Sequence, residues 1–232
     1  MTWGEQSATE GGDLEDQVRG WTAPGTAPLV GEVTLLLAED IHRTWSRTDE
    51  EAPPFWAFAW AGGQALARHV LDHPELVAGR RVLDLAAGSG IVAIAAARAG
   101  AAHVVASDLD ARARVAALRN AALNDVTLDV VGDLVGDEAE RSSTEQVRGD
   151  TEVDLDVDVV LAGDVFYEQP MARRMLEFLD EAAGVGVEVL VGDPGREYLP
   201  RRRVTPLATY DVPGTADLEG RSVTPTTVHR FV

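Results

Sequence analysis

The sequence predicts an α/β fold: a seven-stranded, mostly parallel sheet with helices on both faces and a C-terminal antiparallel hairpin. Three observations predict it. From Arg81 onward, short apolar runs alternate with helix-length amphipathic segments; a glycine turn follows the first of those runs; and the last two apolar runs have no helix between them. With 232 residues, 45% of them hydrophobic, the chain can bury one substantial core and is short for two.

Residues 1–28 are rich in Gly, Thr, Glu and Asp and have little to bury, so they are expected to form a flexible acidic tail ahead of a single domain over 29–232. Residues 29–80 should form an N-terminal helical cap. Within it Val33, Leu36, Leu37, Ile41 and Trp45 recur at helical spacing, which predicts an amphipathic helix over Glu32–Trp45. Pro53 and Pro54 then open the aromatic cluster Phe55, Trp56, Phe58 and Trp60, of which Phe55 and Phe58 are expected in the core. A helix over Gly62–Leu71 should stop before Asp72-His73-Pro74, because proline disfavours helix in the residue before it.

The strands expected next are Arg81–Leu85, His103–Ser107, Thr127–Val131, Val157–Ala162 and Val187–Val191. Helices over Gly90–Ala99, Ala111–Leu123 and Pro170–Ala183 link them, with Gly100 and Asn124 as C-terminal caps and Pro170 at a first helical position. The polar, acidic, aperiodic stretch 136–151 is expected to be a mobile loop. Thr205–Val212 and Thr226–Val232 read as the closing hairpin.

Composition removes several functions. A formal charge of −19 opposes a phosphate-binding surface, so no nucleic-acid partner is expected, and a protein partner with an exposed lysine suits the charge better. The absence of cysteine excludes disulfides, thiolate nucleophiles and cysteine zinc sites, and permits a reducing cytoplasm. The acidic N-terminus lacks the pattern of a secretory signal and no apolar run is long enough to span a bilayer, so a cytoplasmic protein without membrane contact is expected. His42, His69, His73, His103 and His229 lack metal-ligand spacing, and no metal is expected. Lysine is wholly absent, which excludes a catalytic lysine.

The segment Val82-Leu83-Asp84-Leu85-Ala86-Ala87-Gly88-Ser89-Gly90 places a strand, a carboxylate, a glycine turn and a helix start in succession. Glycine lets the backbone turn tightly and admits a ligand where a Cβ would intrude, and the helix start offers free N–H groups. Asp108 follows at the distance and strand end expected of a ribose ligand. Gly88-Ser89-Gly90-Ile91-Val92-Ala93 also satisfies the dinucleotide pattern G-x-G-x-x-A. Against a dinucleotide, the Asp84 carboxylate would repel a pyrophosphate and favour the cationic amino-acid end of S-adenosylmethionine, and no hydride-transfer site is evident.

Asp84 to Gly90 resembles the first motif of the Rossmann-like class I methyltransferases, with Ala86 in place of the usual first glycine. Pro54 to Gly63, Gly163-Asp164-Val165-Phe166-Tyr167 and Gly192-Asp193-Pro194-Gly195-Arg196 together resemble the electron-transfer-flavoprotein β-subunit lysine methyltransferases and their bacterial, nicotinamide N-methylase-like relatives. The resemblance runs from about Val30 to the C-terminus. It implies S-adenosylmethionine as cofactor, held by Trp60, Asp84, Ala86, Gly88, Ser89, Gly90, Asp108, Leu109, Ala162 and Gly163, with Gly132, Asp133 and Leu134 along the adenine.

A polar motif ending the fourth strand should face the transferred methyl, which makes Asp164 and Tyr167 the catalytic candidates. Methyl transfer from a sulfonium is an in-line displacement, so the protein must align the amine, exclude water and remove one proton. Asp164 is expected to orient the ammonium or take that proton, Tyr167 to line the channel, and Arg196 to meet the substrate. The implied reaction is N-methylation of a protein lysine; a small-molecule amine or pyridine methyltransferase and a non-catalytic cofactor-binding scaffold are the alternatives.

Overall fold

The computed structural model describes residues 14–40, 44–46, 54–136, 156–214 and 220–232. Expectations on residues 1–13 and on 137–151 of the acidic loop lie outside them. Strands β3 (Arg81–Leu85), β4 (His103–Ser107), β5 (Asp129–Val131), β6 (Val159–Gly163), β7 (Glu188–Asp193), β8 (Val204–Pro213) and β9 (Val223–Phe231) form one sheet, ordered β5-β4-β3-β6-β7-β9-β8. Pairing is parallel from β5 to β7, and β9 runs antiparallel to both β7 and β8. The expected mostly parallel sheet with a closing hairpin is what the chain forms, with element ends displaced by a residue or a few.

The parallel strands are apolar on both faces, so alternate residues feed two cores. Val82, Val159 and Leu161 pack with helices α2 (Ala61–Asp72) and α3 (Ile91–Arg98). Leu83, Leu85, Val160 and Ala162 pack with α5 (Gln169–Gly184) on the other side. Helix α4 (Ala111–Leu123) begins with Asp110 as its cap, the Asp110 carboxylate accepting from Arg112 N, and ends at Asn124.

Two expectations for the N-terminal part are corrected. Val30–Leu37 is not helical but forms strand β2, antiparallel to β1 (Ala23–Ala27). Val30, Val33 and Leu35 are buried against α2 and α3, while Leu36 packs on the opposite side with Val18 and Trp56. A strand with apolar residues on both faces loses its alternation and imitates helical spacing. Residues 14–28 are not a tail either. Residues 14–21 form helix α1, whose Val18 is fully buried and whose Trp21 stacks on Trp56, with Arg112 over the Trp21 ring and Glu15 paired to Arg119.

Among the described residues, no helix is long and apolar enough to cross a membrane, and no group of three or more His, Cys, Asp or Glu could hold a metal ion.

Candidate active site

The site lies beyond the carboxyl ends of β3, β4 and β6, where the chain leaves the sheet through tight turns. After β3 the backbone bends through Ala86, Gly88 and Gly90, all at positive φ (55°, 53° and 77°). Ala86 therefore takes a left-handed conformation at a cost of about 1–2 kcal/mol, at the position where the resembling motif has glycine. Ala87 N donates to Ser107 O and Gly90 N to Ala87 O, which ties the turn to β4.

Asp84 is 1% exposed and does not border the cavity described below; its Oδ2 accepts from Ala93 N at 2.9 Å, fastening the first turn of α3 to β3. Burial pushes its pKa up to about 8, against the Ala93 hydrogen bond and helped by the charge of Asp108. A raised carboxyl pKa destabilises the fold as pH rises: between about pH 4 and the folded pKa, the native state keeps a proton that the unfolded state has lost. Burial raises Asp108 to about 6, in the same sense. The ligand-free protein should therefore lose stability between roughly pH 6 and pH 8 through Asp84, and Asp84→Asn should flatten that slope. Urea midpoints across this range check it; parallel slopes in the two proteins would contradict it.

Asp108, at the end of β4, is half-buried and accepts from Gly88 N at 2.8 Å through Oδ2 and from Asp110 N at 2.9 Å through Oδ1. A carboxylate offers about four acceptor positions, so each oxygen keeps one for a ligand. Gly88, Asp108 and Asp133 border a cavity of about 550 Å³. Trp60, Ala86, Leu109, Gly163, Asp164 and Tyr167 border it as well, so nine of the fifteen site residues expected from the sequence meet there. Asp84, Ser89, Gly90, Gly132, Leu134 and Ala162 do not border it. Ser89 O accepts from Asn120 Nδ2, Gly132 O accepts from Ser107 Oγ, and Ala162 and Leu134 pack in the α5 core.

At the end of β6, Asp164 is 9% exposed and left-handed, with φ 57°. Its Oδ2 accepts from Gly62 N and, at 3.2 Å, from Gly63 N, the first N–H groups of α2. Its Oδ1 accepts from Arg196 Nε at 3.1 Å and Nη2 at 2.8 Å. All four acceptor positions are taken, so this carboxylate has none left for an amine. Arg196 is held in turn by Asp193, whose Oδ1 accepts from Gly195 N and Arg196 N. Tyr167 is 40% exposed at the cavity rim, its ring centroid 5.6 Å from that of Phe55. Burial of its hydroxyl, helped by the neighbouring charges of Glu168 and Asp108, pushes its pKa up to about 12.

Several lining residues escaped the sequence reading. Phe55, expected in the core, is 38% exposed on the rim, whereas Phe58 is buried as expected. Trp56 and Glu168 also border the cavity. Glu168 stands beside Tyr167 at the head of α5, and that adjacency was the available signal. Asn120 and Asn124 gave only a weak one. They tie the β1–β2 hairpin to the glycine turn: Leu36 N donates to Asn120 Oδ1 at 2.7 Å, Thr34 N to Asn124 Oδ1 at 3.0 Å, and Asn120 Nδ2 to Ser89 O at 2.8 Å.

The family model of ribosomal protein L11 methyltransferase (PrmA) matches residues 65–165. The electron transfer flavoprotein beta subunit lysine methyltransferase of Danio rerio is 36% identical over 213 residues, covering 88% of this chain and 77% of its own. The protein of the same name from Xenopus laevis is 35% identical over 214 residues, with 88% and 81% covered. Among solved structures, a candidate RNA methyltransferase from Pyrococcus horikoshii superposes with a TM-score of 0.54 at 17% identity, over 82% of this chain and 95% of that one, a likeness of fold alone. With a parallel sheet, a glycine turn and an acid-lined cavity at its carboxyl edge, the chain belongs to the electron transfer flavoprotein β-subunit lysine methyltransferase family and is an S-adenosylmethionine-dependent methyltransferase of the Rossmann-like class I fold.

Proposed function

We propose that the protein methylates a lysine side chain of a protein substrate, and that an electron transfer flavoprotein β-subunit is the first acceptor to test. The carrying observation is the continuity of one cavity from Gly88 and Asp108 to the aromatic rim of Phe55, Trp60 and Tyr167. The names of the relatives support the choice of acceptor. A cysteine-free, acidic chain suits a reducing cytoplasm, where we place it.

The cavity fits S-adenosylmethionine. Its volume of about 550 Å³ falls in the range of ligand sites. A Cβ on Gly88 would meet only Trp56 Cα, at 3.8 Å, so the glycine keeps cavity space open. Trp56 is 2% exposed, and its indole N–H has no acceptor among the described residues, which leaves a donor for a ligand. When bound, the cofactor supplies a methyl carbon on a cationic sulfur.

Asp108 offers its remaining acceptor positions to the ribose hydroxyls, and Asp133, on the same cavity, is the acceptor proposed for the adenine amino group. Asp84 fixes α3 behind the turn. Tyr167, with its pKa near 12, stays protonated at neutral pH and donates a hydrogen bond instead of accepting a proton. Asp164 acts on the substrate only through Arg196 and α2, as a positioning residue. A lysine ammonium, with a pKa of about 10.4, must lose a proton before it attacks, and the exposed rim gives that proton a path to water.

Two results test this proposal. Asp108→Ala is expected to weaken binding of S-adenosylhomocysteine by about 2 kcal/mol, roughly thirtyfold, because one charged acceptor and the anchor of Gly88 are lost together. Calorimetry measures it, and an unchanged Kd removes Asp108 from the cofactor site. Incubation with labelled S-adenosylmethionine should carry label into the flavoprotein β-subunit and not into a copy whose lysines have been acetylated. Label confined to small solutes would overturn the proposed substrate class. The enzyme contains no lysine, so labelled lysine can come only from the acceptor.

A further inference from the structure

Five carboxylates border the cavity, and four of them are already engaged. Asp108 accepts from Gly88 and Asp110, Asp110 caps α4, Asp133 accepts from Val135 N, and Asp164 is filled by Gly62, Gly63 and Arg196. The fifth is Glu168. It is exposed, precedes α5 in an extended conformation (φ −137°, ψ 148°), and makes no side-chain cap hydrogen bond to that helix. Among the described residues its carboxylate has no hydrogen-bond or ion-pair partner.

Aromatic rings line the same cavity, together with Met171 and Arg174 on the following turns of α5. Phe55 and Tyr167 are 38% and 40% exposed, with ring centroids 5.6 Å apart. Trp60 stands edge-on to Phe55 at 5.6 Å, and its Nε1–H, donating to Phe55 O at 2.8 Å, fixes the pair. Exposed aromatic rings grouped at a cavity rim mark a contact surface, and aromatic faces attract alkylammonium groups. A carboxylate without a partner beside such rings is the complement of a cation on an apolar stem.

We propose that Glu168 is the specificity-determining carboxylate of the acceptor site: it receives the substrate's alkylammonium at the rim, with Phe55, Trp60 and Tyr167 packing on the methylene stem. The ammonium-orienting role expected of Asp164 thus falls to a residue four positions along the chain. The inference rests on the amine-methylating reading above, but it makes a claim about binding that survives on its own. Glu168 selects charge; the aromatic rim selects an unbranched stem over a polar one.

The test uses the full chain saturated with S-adenosylhomocysteine, and hexylammonium as the probe. Calorimetry should show hexylammonium binding to the native protein and binding about tenfold more weakly to Glu168→Gln, as expected for loss of one charge-assisted contact at a partly exposed site. Glu168→Asp should recover part of the loss, and hexanol should bind both proteins alike. The Kd for S-adenosylhomocysteine should be the same in all three proteins. With the flavoprotein β-subunit as acceptor, Glu168→Gln should raise KM about tenfold and leave kcat within about twofold. Equal hexylammonium affinity in native and Glu168→Gln protein overturns the assignment, whatever the enzyme methylates. Weakened hexylammonium binding without methyl transfer to any lysine upholds Glu168 and sinks the lysine substrate.

Discussion

Asp164→Ala is expected to lower the free energy of unfolding by about 3 kcal/mol and to abolish methyl transfer at the same time. The substitution strands the Arg196 guanidinium, whose side chain is only 25% exposed, and takes the acceptor from Gly62 N and Gly63 N at the start of α2. Removing one partner of such a pair costs more than the pair contributes, because the other charge stays desolvated. The left-handed strain at φ 57° remains, since alanine carries a Cβ too. Two readings of Asp164 separate here. A proton acceptor changed to Asn would lose activity in a protein of unchanged stability. A clamp should lose activity in step with stability, and Arg196→Ala should reproduce the effect although it leaves the carboxylate in place. Urea unfolding and initial rates on the three variants decide between them; a stable, inactive Asp164→Asn alongside an active Arg196→Ala would restore Asp164 to the chemistry.

The parallel half of the molecule was legible because its signals are local. Arg81–Leu85 and His103–Ser107 are short apolar runs between breakers, and Ala111–Leu123 starts at an aspartate cap and ends at Asn124. Gly88, Asp108 and Tyr167 could be placed at one edge because strand ends in such a sheet converge. What failed was non-local. The β1–β2 hairpin depends on Asn120 and Asn124, about ninety positions away, which satisfy the backbone of Thr34 and Leu36 as a neighbouring strand would. Without that knowledge, Val33, Leu36 and Leu37 read as one helix face. The partners of Asp164 were hidden for a related reason. Its residue type and strand-end position suit a base, but Arg196 and the first turn of α2 reach it from 32 and 102 positions away. Charge at a site is read from sequence; whether that charge is already spent is not.

Gly62→Ala is expected to be strongly destabilising. A Cβ at Gly62 would run into Gly192 O and Asp164 Oδ2, and one at Gly192 would run into Gly62 O and stand 2.9 Å from Leu66 Cβ. A Cβ at Gly163 would lie 2.9 Å from Gly63 Cα. The obstacles are mostly backbone atoms, so no side-chain rotation relieves them, and α2 would have to lift away from the ends of β6 and β7. Overpacking of this kind costs about 3 kcal/mol or more. Lifting α2 would also break the Asp164 bonds and shift Trp60, the cap of the helix and a wall of the cavity. Gly63→Ala is the matched control: its Cβ would meet only Ile91 Cγ2 at 3.4 Å and Val92 Cγ2 at 4.0 Å. In a helix, alanine gains roughly 0.5–1 kcal/mol over glycine, so Gly63→Ala should be neutral or stabilising. Thermal unfolding of the two variants side by side measures the difference. Equal stability would mean that α2 rides loosely on the sheet, and then neither the Asp164 clamp nor the placement of the aromatic rim could depend on its fit.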